Sequence, residues 1–133
     1  MRKVARMNES PFNSTLTVGR LELPNRIVQA PMGRLRADLE GRPGDLMVEY
    51  FRQRAGMGLV VSDGTSPSRD GRVMFTQPGL YSDDQVAGWA AVADAVHAAG
   101  GRIVAQLMHA GWNTHVKVTG LPVVSASAVD HHG

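Results

Sequence analysis

Three short apolar runs set the frame of this chain: RIVQAPM at 26–32, GLVVSDG at 58–64 and RIVAQLM at 102–108. Each reads as a strand, the first buried and the second, GLVVSDG, with β-branched residues and a Gly stop, buried on both faces in a parallel sheet. Pro31 cannot continue a central ladder and must end the first. The runs start 32 and 44 residues apart, and each gap holds one helical pattern. DLMVEYFRQRAG at 45–56 pairs Leu46 with Tyr50 and Met47 with Phe51 at i,i+4, opens on Asp45 and closes on Arg52, Arg54 and Gly56. This predicts about three helical turns, with Met47, Tyr50 and Phe51 in a core. In the second gap Ser82-Asp83-Asp84-Gln85 has the form of a capping box. The helix behind it shows Val86, Trp89, Ala93 and Val96 on one face and stops at Gly100-Gly101. Helices alternating with apolar strands imply right-handed crossovers and a parallel sheet.

Before the first run, Leu16/Val18 and Leu21/Leu23 alternate with polar residues around Gly19-Arg20, the pattern of a hairpin with Gly at the first central turn position. Residues 65–81 read as a long polar loop, and the last 25 residues show no clear helix pattern. Two architectures fit this order, a doubly wound sheet and a (β/α)8 barrel. Neither G-x-G-x-x-G nor G-x-x-x-x-G-K-[ST] occurs, which removes the usual dinucleotide and phosphate-loop signatures. A barrel needs about 250 residues. The 133 residues here hold three strands and two helices. Three parallel strands alone leave an unpaired edge and half an interior open to water. The expectation is therefore an α/β chain, residues 1–133, forming the N-terminal part of a single TIM-barrel domain of a larger protein.

The chain has no cysteine, which excludes disulfides, thiolate metal sites, iron–sulfur clusters and a Cys nucleophile. The N-terminal segment lacks the apolar run of a secretory signal, and no window approaches a membrane span. A reducing cytoplasmic location is expected. The net charge is +2, and residues 1–36 carry seven basic groups (Arg2, Lys3, Arg6, Arg20, Arg26, Arg34, Arg36) against two acidic ones. No aromatic residues suited to stacking accompany them, so surface charge is expected there, with no nucleic-acid partner.

In a barrel, function collects at the C-terminal ends of the strands. Here those ends read Ala30-Pro31-Met32-Gly33, Ser62-Asp63-Gly64-Thr65 and Gln106-Leu107-Met108-His109. Gln106 has apolar neighbours, so its amide is expected to be largely buried and in need of partners. A carboxamide offers one acceptor and two donors. It suits a heterocycle edge with a carbonyl and an N–H, such as a flavin pyrimidine or a nucleobase. A glutamine tied to neighbouring backbone fits equally. Asp63 at a strand end reads first as a carboxylate capping a loop, and secondarily as an active-site acid. Arg34 and Arg36 read as surface-paired. His109 and His115 lack a metal-ligand pattern.

Several of these segments carry a resemblance. LPNRIVQAPMGRLRA, GDLMVEYFRQRAGMGLVVSDGT, PGLYSDDQVAGWAAVADAVHAAGGRIVAQLMHAG and PVVSASAV occur in order over about residues 11–129. Together they resemble the N-terminal portion of the old yellow enzyme family of FMN-dependent oxidoreductases. The resemblance implies a (β/α)8 barrel with FMN at its C-terminal mouth, reduced by NAD(P)H and reoxidised by an alkene conjugated to a carbonyl or nitro group. It implies that the backbone at Pro31 and Met32, and Gly33, border the isoalloxazine. Gly64 would lie in close backbone approach to the ring, Gln106 would bond the pyrimidine edge, and Met108 would face the substrate. Many members carry Thr or Cys at the position of Gly33, a tryptophan at Met108 and Arg at Trp112, which leaves the branch open.

The family's His/Asn or His/His substrate pair, its proton-donating Tyr and its main FMN phosphate ligands would fall beyond residue 133. No catalytic residue is therefore assigned here, and His109, His115, His131 and His132 are not given those roles. The implied function is an ene-reductase-like FMN oxidoreductase using NAD(P)H on a small-molecule substrate. The competing reading is a non-catalytic truncated remnant, or a split-barrel subunit that acts only with a homo-oligomeric or complementing C-terminal chain.

Overall fold

The computed structural model describes residues 10–127. Arg2, Lys3, Arg6, His131 and His132 lie outside them. The chain opens with the expected hairpin: β1 (Leu16–Val18) and β2 (Leu21–Leu23) pair antiparallel, Val18 opposite Leu21. Gly19 takes φ +60 at the first turn position, which a side chain would strain.

Three parallel strands follow, β3 (Val28–Gln29), β4 (Leu59–Thr65) and β5 (Ile103–Leu107), in the order β3-β4-β5. The first run forms a two-residue strand rather than a seven-residue one. β3 is bonded on one side only, so Ile27 and Val28 stand 43% and 48% exposed while Gln29 is buried. Asn25 fixes its start: its Oδ1 accepts from the Ile27 and Gly58 N–H groups, and its Nδ2 donates to the Gly56 carbonyl.

Helix α1 (Asp45–Arg52) is shorter than expected, about two turns, and α2 (Asp83–Ala98) runs 16 residues. The Ser82–Gln85 capping box forms in both directions. Both helices pack on one face of the sheet around Met47, Phe51, Ala55, Val60, Trp89, Val92 and Val96. The buried stripe of α2 runs through Gln85, Trp89, Val92 and Val96, whereas Val86 is 52% exposed and Ala93 half-buried. Leu46 is likewise exposed, at 72%. Tyr50 sits at the core's edge, its ring between the guanidinium groups of Arg34 at 5.5 Å and Arg54 at 3.5 Å. Arg34 therefore lies over an aromatic face and makes no salt bridge among the described residues, while its charge acts on the Asp63 carboxylate.

Among the described residues, the sheet's other face carries no helix. β4 is buried along Val60 and Ser62 but only half-buried at Leu59 and Val61, so burial on both faces is not reached. On β5, Val104 and Leu107 are 43% and 61% exposed. The β4–β5 ladder shifts register between Val61, opposite Val104, and Gly64, opposite Gln106. That places one extra residue on β4, a bulge. The tail contains a single-turn helix, α3 (Val116–Thr119), whose N-cap His115 accepts the Lys117 N–H at Nδ1. Among the described residues, no helix is long and apolar enough to cross a membrane.

Candidate functional site

The C-terminal ends of all three parallel strands meet at a cavity of about 260 Å³. Its wall contains Pro31, Gly33, Gly64, Gln106 and Met108, five of the six residues singled out from the sequence. Met32, 49% exposed, does not line it.

The parts are held close together. A Cβ built on Gly64 would stand 2.9 Å from Met108 Cε and 3.5 Å from Gln106 Oε1. The glycine thus lets the thioether and the carboxamide lie directly on the strand backbone. The Gln106 N–H donates to Ser62 Oγ at 3.0 Å, and Met108 N–H donates to the Thr65 carbonyl at 2.9 Å. Gln106 is half-buried rather than largely buried, because β5 is an edge strand and no helix covers that face. Its side-chain amide makes no hydrogen bond to any described residue. The alternative of a glutamine tied to neighbouring backbone is thereby removed.

Asp63 lies beneath the loop that carries Gly33. It is 1% exposed, and its Oδ2 accepts the Arg34 N–H at 2.6 Å. The expected loop-capping role is what the structure contains. The next residue, Leu35, has φ 52, a left-handed conformation that costs a branched side chain roughly 1–3 kcal/mol. The carboxylate thus helps hold a strained turn. Its other oxygen is buried without a partner. Burial pushes the Asp63 carboxyl above the usual range, while the N–H groups of Arg34, Asp63 and Leu35 and the Arg34 charge pull it down.

Gln77 was not singled out from the sequence. It is 2% exposed, its Nε2 donates to the Gly64 carbonyl at 2.9 Å, and its Oε1 accepts the Val73 N–H at 2.7 Å. This side chain ties the 65–81 loop to the strand end that floors the cavity. A polar residue before Pro78-Gly79 in a polar loop carries no signal of burial.

His109 Nε2 lies 3.6 Å from Asp70 Oδ1, and its Nδ1 accepts the Gly111 N–H. Among the described residues, no three His, Cys, Asp or Glu side chains gather as a metal site.

A parallel βαβαβ sheet whose strand ends converge on one cavity is the arrangement of part of a (β/α)8 barrel. Residues 12–132 match the NADH:flavin oxidoreductase / NADH oxidase family, and the chain belongs to it. It is 42% identical over 106 residues to the flavin oxidoreductase hxnT of Emericella nidulans, covering 76% of this chain and 27% of that protein. It is 40% identical over 111 residues to 12-oxophytodienoate reductase 7 of Oryza sativa subsp. japonica, covering 83% and 28%. The structure of the old yellow enzyme homologue from Zymomonas mobilis superimposes with a TM-score of 0.87 at 38% identity, covering 93% of this chain and 35% of that one. The chain thus spans roughly a third of the length of the proteins it matches.

Proposed function

We propose that this chain forms the pyrimidine-side cradle of an FMN-dependent NAD(P)H oxidoreductase that reduces activated alkenes. The observation that carries the reading is the unpartnered Gln106 carboxamide beside Gly64 in the strand-end cavity. One acceptor and two donors on a half-buried arm match the alternating carbonyls and N–H of a flavin pyrimidine. The cavity residues fit FMN, which when bound supplies hydride transfer between NAD(P)H and an acceptor.

The places of these residues, taken with the resemblance, support the following roles. Gln106 binds and orients the pyrimidine edge. Gly64 would admit close approach to the backbone, and Pro31 and Gly33 would border the ring. Met108 shapes the substrate side. Gln77 and Asp63 hold the floor and the bordering loop. NAD(P)H and the acceptor take the same slot in turn, with hydride donors and acceptors alternating there. The ketone-bearing diene in the rice relative's name supports an activated alkene as acceptor.

Gln106→Leu tests this. It keeps the side-chain volume but leaves the pyrimidine edge unpaired, at about 1–3 kcal/mol, or up to about a hundredfold in FMN affinity. Flavin fluorescence titration of both proteins reads it out. Affinity within twofold of the parent would remove Gln106 as a flavin ligand.

A second reading is favoured by the helix-free sheet face, where Val28 and Val104 are exposed, and by the unpaired edge of β5. In it the chain is a subunit, or a remnant, that acts only when another chain covers this face. Size exclusion with detection of visible flavin absorbance separates the two. A yellow monomer contradicts the second reading.

A further inference from the structure

A second cavity, of about 340 Å³, lies on the far side of the 72–77 loop and is lined by Arg42, Arg69 and Arg72 together with Glu40, Tyr81 and Asp84. Its volume is within the range of small-ligand sites, about 300–1,000 Å³. The three cations are not equivalent. Arg42 is engaged by Asp38 at 2.6 Å and by Asp84 at 3.5 Å. Arg69 donates from Nε to the Thr119 carbonyl and forms no ion pair among the described residues.

Arg72 is the anomaly. It is 6% exposed, yet it meets no carboxylate. Its Nη2 donates to the Leu39 and Phe75 carbonyls, and its Nε is buried with no acceptor. The two N–H groups on Nη1 have no protein acceptor either. A largely buried guanidinium that meets no carboxylate is costly, and a compact anion reached by its solvent-accessible Nη1 N–H groups would offset part of that cost. Glu40 and Asp84 are exposed, and Asp84 is already turned to Arg42, so neither neutralises Arg72.

We propose that this cavity binds a phosphate group, held by Arg72 from the inner wall and by Arg69 from the rim. The phosphate is either free or carried on a nucleotide.

Calorimetric titration of the full chain, in the association state in which it purifies, with inorganic phosphate and separately with AMP tests the proposal. Saturable binding of phosphate is expected, weakened about tenfold by Arg69→Gln and lost in Arg72→Gln. AMP binding at least tenfold tighter than phosphate assigns a nucleotide source; equal affinities assign free phosphate. Arg72→Gln removes two carbonyl contacts and risks misfolding, so Arg69→Gln, an exposed position, keeps the test decisive. Arg20→Gln, on the distant hairpin turn, is the charge control and should bind within twofold of the parent. Absence of saturable binding for both probes, or equal losses in Arg20→Gln and Arg69→Gln, overturns the proposal.

Discussion

Asp63 is subject to opposed forces. Burial with one oxygen unpartnered disfavours its charged form, and this outweighs three backbone N–H groups and the Arg34 charge, which favour it. Its carboxyl therefore titrates higher in the fold than in the unfolded chain, and the fold holds that proton more tightly. The associated stability is present below the ordinary carboxylate range and is lost as pH rises through the raised folded value. Asp63→Asn keeps an acceptor for the Arg34 N–H and removes the buried charge. It should raise the urea midpoint at neutral pH by the equivalent of about 1 kcal/mol. The gain should vanish near pH 4, roughly the usual aspartate range, where the parent carboxyl is protonated too. A gain that persists in acid would mean that the charge is not the cause. Gly33, on the same loop, does not have positive φ, and a Cβ there would meet nothing within 4 Å. A threonine therefore fits without strain. Its hydroxyl can donate to the flavin carbonyl beside the reactive nitrogen, favouring the reduced, electron-rich ring. In the FMN-loaded protein Gly33→Thr should raise the potential by about 10–40 mV, part of one charge-assisted hydrogen bond. Redox titration decides it: an unchanged potential at full FMN occupancy removes the argument.

The elements show which features local sequence can encode. The hairpin and the capping box are legible because their determinants lie within four residues: Gly19 at a positive-φ turn, and Ser82 with Gln85. The buried stripe of α2 is less so. Val86, Ala93 and Val92 all suit an apolar face, and only packing against α1 and β4 selects Val92. The strand-end residues Gly33, Gly64 and Gln106 were recognisable from fold logic and resemblance. Gln77 was not, since it joins a residue of the polar 65–81 loop to Gly64, 13 positions away, and the partner of the capping Asp63, the Arg34 N–H, lies 29 positions away across α1. The length of β3 was misjudged because apolar composition does not reveal how many partners a strand has. Helix α2 also carries a testable exception to helix propensity. Gly88 sits mid-helix, where alanine is usually better by about 1 kcal/mol. A Cβ there would lie 2.7 Å from the Pro43 carbonyl oxygen and 2.8 Å from Pro43 Cδ. Backbone must move to admit it, at about 1–3 kcal/mol. Gly88→Ala should therefore lower the urea midpoint, and a higher midpoint would show that the Pro43 loop yields freely.

At the scale of the molecule, one sheet face is packed and the other is bare. On the bare face Val28, Val104 and Met108 are each at least 38% exposed, and Leu107 is exposed at the unpaired edge of β5. Covering a few hundred Å² of such surface is worth several kcal/mol at about 25 cal/mol per Å². That rivals the net stability of a typical domain, roughly 5–15 kcal/mol. The chain should therefore self-associate at micromolar concentration, or become monodisperse when supplied with strands that cover this face. Sedimentation analysis reads the mass directly. A monomer that unfolds in one cooperative step at that concentration would contradict it.

The extra residue in β4 has a consequence for how the protein can change over time. Below the bulge, the strand's alternation serves the helix-packed core through Val60; above it, the phase is reset and Gly64 serves the cavity. Ser62 bridges the break by offering its hydroxyl to the Gln106 N–H where regular pairing lapses. Core and rim are thus written in separate reading phases along one strand. Mutations that repack the interior leave the rim's facing unaltered, so new specificities can be explored at the mouth without reworking the foundation.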